Sequence, residues 1–203
     1  MIAILDYGVG NLGSILNMLK RIGVRAALTT DPREIPIAEK VILPGVGNFD
    51  HCMVKLRESG FVPHLEEEVV KGGKPLLAIC VGCQMLMERS EEGVQPGLGW
   101  LKGGVKRFDD SILKQGLKIP HMSWTDVRPV GDSPLFRSME DPRFYFVHSY
   151  HLDCGDPSDV SGEATYGYGF PASVQKRNLH GVQFHPEKSH RFGMRLLENF
   201  SAL

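Results

Sequence analysis

Ten residues constrain this chain more than any others: Pro75-Leu76-Leu77-Ala78-Ile79-Cys80-Val81-Gly82-Cys83-Gln84. An unbroken apolar run behind a proline predicts a buried parallel strand, and Met85-Leu86-Met87-Glu88-Arg89 beyond it has helix-forming composition. The strand ends on a cysteine, with a glycine two residues later. That predicts a strand, a sharp corner and a helix with Cys80 at the corner, the thiol counterpart of a nucleophile elbow. Such a corner lifts the sulfur clear of the sheet above a helix N-terminus, where partial positive charge favours the thiolate. Two other readings fit the same stretch. Apolar strands often end in an inert buried cysteine. Cys80 and Cys83 also form a C-x-x-C, the spacing of a redox pair, although no aromatic residue or proline separates them. Zinc would need four ligands, and neither a second C-x-x-C nor a close histidine pair supplies them.

Upstream, Ile2-Ala3-Ile4-Leu5 predicts a first buried strand ending at Asp6, then a loop and a helix from about Leu12 to Ile22, with Asn11 as N-cap and Gly23 as stop. Gly8, Gly10 and Gly13 satisfy G-x-G-x-x-G, and Asp31 lies near where a ribose-binding acid would fall. A dinucleotide-binding oxidoreductase is therefore one reading. Against it, Asp6 would set a carboxylate beside a pyrophosphate, and glycines also serve a tight turn. Arg25 to Leu28 and Lys40 to Leu43 read as further strands. The second leads into Pro44-Gly45-Val46-Gly47, a loop that can turn bare N–H groups toward a ligand above the sheet, as an oxyanion hole does, or be an ordinary turn. Helices are expected around Asp50 to Glu58 and Val62 to Lys71. The β-α-β-β-α-β-α order with continuous apolar strands predicts an open, largely parallel α/β sheet flanked by helices, with ligands at the strands' carboxyl ends.

Beyond Glu88 the texture changes to a Gly-rich stretch, 93–104, and alternating pieces at Val105 to Phe108, Trp124 to Val127, Phe144 to Val147 and Ala172 to Gln175. These predict an additional antiparallel strand region. In Tyr145 to Tyr150, alternation puts Tyr145, Val147 and Ser149 on one face and His148 on the other. No linker or repeat interrupts the chain, and 203 residues suit one domain. The net charge of −1 gives no basic surface for nucleic acid. Four scattered cysteines make no disulfide framework, and no secretory signal or membrane span is apparent. A cytoplasmic protein is the expectation.

Near the end, Phe184-His185-Pro186-Glu187 delivers a histidine at a strand terminus, fixes the turn with a proline, and lets Glu187 reach back to the imidazole. Nucleophile, base and orienting carboxylate are then all present: Cys80, His185 and Glu187.

Together these motifs resemble the class I, triad-type glutamine amidotransferases along the whole chain, residues 1–203. The blocks Asp6 to Asn11, Pro44 to Gly47, Pro120-His121-Met122, Tyr145 to Tyr150 and Gly181 to Ser189 are similar to the glutaminase subunits of imidazole glycerol phosphate synthases. That resemblance implies hydrolysis of L-glutamine to glutamate and ammonia, with Cys80 as nucleophile, His185 as base and Glu187 as its orienter. It implies an oxyanion hole from Val81 and the loop of Gly45, Val46 and Gly47, and glutamine held by Gln84, Glu92, Tyr145 and Ser149. No cofactor or metal is implied. The partner implied is a (β/α)8 cyclase, contacted by Asn11, Trp124 and Lys188, that consumes the ammonia in forming imidazole glycerol phosphate and AICAR for histidine biosynthesis. The sequence departs from the family pattern at Ala78, where glycine is usual, and at Cys83. It departs again at Ser123 and Thr125, which replace glycine and asparagine in a segment expected to face the partner. With the tail Ser189 to Met194, these departures also resemble paralogues that supply ammonia to an amidating synthase in surface-sugar biosynthesis. A non-catalytic scaffold is disfavoured because all three triad residues are present.

Overall fold

Four short, largely apolar runs meet at the centre of the molecule because each is flanked by turns and has little polar surface to give to water. The computed structural model describes residues 1–203. Its elements, in order, are β1 (Ile2–Leu5), α1 (Leu12–Arg21), β2 (Ala26–Thr29), β3 (Lys40–Gly45), α2 (Phe49–Glu58), α3 (Phe61–Leu65) and β4 (Leu76–Cys80). They continue as α4 (Val81–Met85), β5 (Arg89–Ser90), β6 (Gly103–Arg107), β7 (His121–Pro129), β8 (Arg143–His148) and β9 (Tyr150–Cys154). The last are β10 (Val160–Tyr166), β11 (Tyr168–Lys176), β12 (Leu179–Val182) and α5 (His190–Ser201).

One nine-stranded sheet runs β2-β1-β3-β4-β12-β11-β10-β7-β8. From β2 to β12 the pairs are parallel, and from β12 to β8 they are antiparallel. This is the expected parallel sheet with an antiparallel extension. The burial pattern follows the pairing. Strands β1, β4 and β12 are buried at every residue, as strands covered on both faces must be. Strand β8 instead alternates, with Phe144, Phe146 and His148 inward. Burying the aromatic rings contributes about 1.5–3 kcal/mol each. Phe144 stacks on Phe184, with ring centroids 3.9 Å apart.

Three expectations are corrected. The helix after the corner stops at Met85 instead of covering residues 85–89. The carbonyls of Met85, Leu86 and Met87 are taken by the N–H groups of Leu98, Trp100, Leu101 and Gly99, and Arg89–Ser90 pairs with β6. Hydrogen bonds from a distant loop outcompete one more helical turn. The alternating pieces do not all join one sheet, because β6 pairs with β5 and β9 in a separate three-stranded sheet. Asn11 precedes α1 but caps nothing, since its ψ of 59° is not the extended value that lets a side chain reach back to the first turn. Strands β9 and β10 and helix α5 were not assigned from the sequence. No helix is long and apolar enough to cross a membrane.

Candidate active site

The parallel half of the sheet brings β3, β4 and β12 together, and their carboxyl ends form one edge of a cleft of about 340 Å³. Gly45 lies opposite Cys80 in the β3–β4 register, and Val182 opposite Ile79 in the next pair. The elements expected to carry thiol, backbone donors and imidazole are therefore adjacent strands.

Cys80 has φ 56° and ψ −114°, a region L-residues avoid at a cost of about 1–3 kcal/mol. The strand turns there without a loop, and Val81 starts α4. The corner closes only because two glycines meet. A Cβ on Gly82 would lie 2.2 Å from the Leu43 carbonyl oxygen, and one on Gly45 would lie 2.4 Å from the Gly82 nitrogen. The family-typical glycine replaced by Ala78 is not needed, since Ala78 is buried without conflict mid-strand.

His185 follows β12 and Phe184, and its main chain is clamped. Its N–H donates to the Tyr145 carbonyl at 2.9 Å, and its carbonyl accepts from the Ser189 hydroxyl at 2.6 Å. The ring Nδ1 lies 2.8 Å from Glu187 Oε1, and both side chains are almost wholly buried. The His185 Nε2 and Glu187 Oε2 make no hydrogen bond. Burial pulls the imidazole's pKa down, but the neighbouring Cys80 sulfur and then the Glu187 carboxylate outweigh it, so His185 is raised to about 10. A carboxylate on Nδ1 holds the ring and leaves Nε2 unpaired, on the cleft that Cys80 also lines.

The loop after β3 supplies donors. The N–H groups of Val46 and Gly47 find no acceptor in the chain, and both residues line the cleft, as does Val81. Gly45 does not line it, and its place is the packing contact with Gly82. Gln84, Glu92 and Ser149 all line the cleft. Glu92 is delivered by a loop that Asp50 holds through the N–H groups of Val94 and Gln95, and it accepts from the Phe49 N–H at 2.8 Å. Burial raises its carboxyl above the ordinary glutamate range.

Tyr145 stands outside the cleft lining. Its ring lies beneath the Lys188 ammonium, 5.8 Å away, and edge-on to Trp124 at 6.2 Å. Trp124 is 37% exposed and stacks on His190. Asn11 is half-buried at the start of α1, and Lys188 lines the cleft rim. Ser123 and Thr125, expected on a partner-facing surface, turn inward instead, while Met122 and Trp124 take the exposed face of β7.

The other motifs resolve into structure. Cys83 is fully buried against Gly181, whose added Cβ would meet the Cys83 sulfur at 2.5 Å, and burial holds its thiol far above the usual range. It is an inert core thiol. The glycine loop after β1 is a tight turn, in which Asp6 accepts from the Gly8 N–H and the Tyr7 hydroxyl donates to the Pro44 carbonyl. Asp31 caps a turn and pairs with Arg33.

Sequence reasoning missed Gln183, His148 and Tyr150. Gln183 is fully buried, accepts from Gln84 Nε2 at 3.0 Å and directs its own amide at the Cys80 sulfur at 3.8 Å. A glutamine inside an otherwise apolar strand end was the available signal.

A thiol on a strained corner, a buried imidazole–carboxylate pair and unpaired backbone donors on one cleft are the parts of a cysteine acyl-transfer site. The family model for class-I glutamine amidotransferase matches residues 3–202, and the chain belongs to that family. Among curated relatives it is 49% identical over 204 residues, covering 100% of both chains, to the imidazole glycerol phosphate synthase subunit HisH of Bdellovibrio bacteriovorus. It is 44% identical, again over 100% of both, to the protein of that name from Leptospira borgpetersenii. Solved structures share the fold. A glutamine amidotransferase crystal structure superposes with TM-score 0.76 at 20% identity, covering 100% of this chain and 99% of that one. PurLQS from Thermotoga maritima gives 0.75 at 20% identity, covering 98% and 96%.

Proposed function

We propose that this chain is the glutaminase subunit of an imidazole glycerol phosphate synthase, hydrolysing L-glutamine through Cys80, His185 and Glu187. The observation that carries this reading is the Cys80 corner beside the buried His185–Glu187 pair. Full-length relatives bearing the synthase-subunit name support the pathway.

The geometry suits each step. His185 Nε2, without another partner, takes the thiol proton, and the thiolate attacks the side-chain amide carbon. Charge on the amide oxygen is met by the Val46 and Gly47 N–H groups, with Val81 as the helix-side donor. His185 then passes its proton to the nitrogen, ammonia leaves, and a thioester remains on Cys80. Water, deprotonated by His185, releases glutamate. Glu187 stabilises the imidazolium in both halves. Gln84, Glu92 and Ser149 hold the substrate, and Glu92 suits its ammonium group. Ammonia passes to a (β/α)8 cyclase subunit docked on the face of Asn11, Trp124 and Lys188. Tyr145 serves that face rather than the glutamine.

An ammonia acceptor in surface-sugar biosynthesis drew on Ser123 and Thr125. Both turn away from the exposed face of β7, which leaves that reading with the tail segment alone. The test is glutamate release by the purified chain, alone and with a histidine-pathway cyclase subunit and its nucleotide substrate, with Cys80→Ala as blank. Cyclase-stimulated, Cys80-dependent turnover is expected. Cys80-dependent turnover indifferent to the cyclase would overturn the pathway, and turnover surviving in the blank would overturn the triad.

A further inference from the structure

Ser123 and Thr125 sit at one end of an unbroken line of hydrogen bonds that ends at the proposed nucleophile. Strand alternation puts both on the His121 face of β7, and His121 lies directly opposite His148 in the β7–β8 register. His121 Nε2 is 2.9 Å from Ser123 Oγ and 2.8 Å from Thr125 Oγ1, and the two hydroxyls are 3.1 Å apart. His121 Nδ1 is 3.0 Å from His148 Nε2, and His148 Nδ1 is 2.7 Å from the Tyr150 carbonyl oxygen. Burial pushes His121 to about 4 and His148 to about 3, so both rings are neutral.

One fixed point sets every proton. A carbonyl oxygen only accepts, so His148 carries its proton on Nδ1. Its bare Nε2 then needs a donor, so His121 is protonated on Nδ1 and bare on Nε2. That leaves a buried acceptor which only Ser123 or Thr125 can satisfy, the second hydroxyl donating to the first. Beyond His148 the line continues. The Tyr150 carbonyl also accepts from Gln84 Nε2 at 3.1 Å, Gln84 donates to Gln183 Oε1, and Gln183 donates to the Cys80 sulfur.

We propose that the Ser123/Thr125 hydroxyl pair is a positioning device for the glutaminase site, acting through the His121–His148 hydrogen bond to fix the Tyr150 carbonyl, Gln84 and the seat of the Cys80 sulfur. The inference rests on the reading of Cys80 as nucleophile. With both hydroxyls gone, His121 Nε2 is a buried acceptor without a donor. Moving its proton there only trades an unpaired acceptor for an unpaired donor and would set a lone pair of His148 against the Tyr150 carbonyl, so the proton order holds and the His121 ring shifts toward water instead, drawing His148 and the Tyr150 carbonyl with it. Either hydroxyl alone suffices as donor. The signature is therefore non-additive: single losses are mild and the double loss is severe. In His121→Asn the amide donates to His148 without help from β7, so there the hydroxyls become dispensable.

The experiment compares wild type, Ser123→Ala, Thr125→Val, their double variant, and that double variant in a His121→Asn chain. Two readouts are taken: histidine tautomers by 15N NMR, and the rate of Cys80 alkylation by a diazoketone analogue of glutamine. The expected result is His148 protonated on Nδ1 in every chain, with its ring 15N shifts moved from wild type in the double and not in the singles. Alkylation should be within about threefold of wild type in the singles, and slowed about tenfold or more in the double, the scale of one buried group left unpaired. It should recover in the His121→Asn chain. A double variant whose rate is the product of the singles, or whose His148 ring shifts match wild type, would overturn the proposal. Wild type that resists alkylation while showing the stated tautomers would refute Cys80 as nucleophile, and the positioning role with it, but not the proton order.

Discussion

Glu187→Gln isolates the charge of the orienting group from its shape. The carboxylate touches His185 Nδ1 at 2.8 Å inside a site closed to water. With charge centres about 4 Å apart and an effective dielectric of about 20, carboxylate and imidazolium attract by about 4 kcal/mol. A ring raised to about 10 holds the thiol proton at neutral pH, so this attraction sustains the imidazolium that leaves Cys80 ready to attack and then protonates the departing nitrogen. Losing it lowers kcat/KM by about a thousandfold. Glutamine can also turn its NH2 toward Nδ1 and hold the ring in the wrong tautomer, which adds to the loss. Stability carries a second signature. Because His185 is raised from 6.5 to about 10, its contribution is fully present below pH 6.5 and is lost as pH rises toward 10. Glu187→Gln removes part of that contribution, so the Tm gap from wild type should be widest at about pH 6 and close by about pH 10. The assays are glutamate release with the partner present and thermal melts across that range. A loss under tenfold, or a gap that widens with pH, would refute the reasoning.

Other outcomes follow from the same geometry. Cys83→Ser should keep glutamate release close to wild type while lowering stability by about 1–3 kcal/mol, because a hydroxyl replaces an apolar thiol in a fully buried site; equal damage from Cys80→Ser and Cys83→Ser would restore the redox pair. Gly82→Ala should abolish soluble expression or activity, since its Cβ would meet the Leu43 carbonyl oxygen at 2.2 Å and backbone cannot step aside cheaply; a stable, active Gly82→Ala enzyme would show that the corner is not closed by that contact. KM for glutamine should rise as pH falls through a value above 4.5, as Glu92 takes a proton and stops pairing with the substrate ammonium, and Glu92→Gln should flatten that profile. A Phe184→Ala change removes the ring stacked on Phe144 and should cost about 3–5 kcal/mol in denaturant melts.

Much of the site was legible because its chemistry is written in short local patterns. A strand, a corner cysteine and Gly82 within three residues encode the strained turn, and His185-Pro186-Glu187 encodes a ring with its own carboxylate. The parallel half of the sheet was legible for a related reason. Strands buried on both faces must be apolar throughout, and β1 and β4 are, as is β3 from Val41 onward. The antiparallel half was less so. Strands β9 and β10 carry mixed residues whose pairing is set by partners far away in sequence, and the helix expected over 85–89 lost its hydrogen bonds to residues 98–101, which no local propensity reports. Ser123 and Thr125 were visible as departures, but only the pairing of β7 with β8 turned them toward His121 rather than a partner. Gln183 and Gln84, 99 positions apart, meet because β12 lies beside β4. The sequence by itself determined which groups could do chemistry and the local bends that present them, since these depend on covalent neighbours and backbone sterics. Only the tertiary structure decided which buried polar groups satisfy one another, because a buried donor must find its acceptor in space.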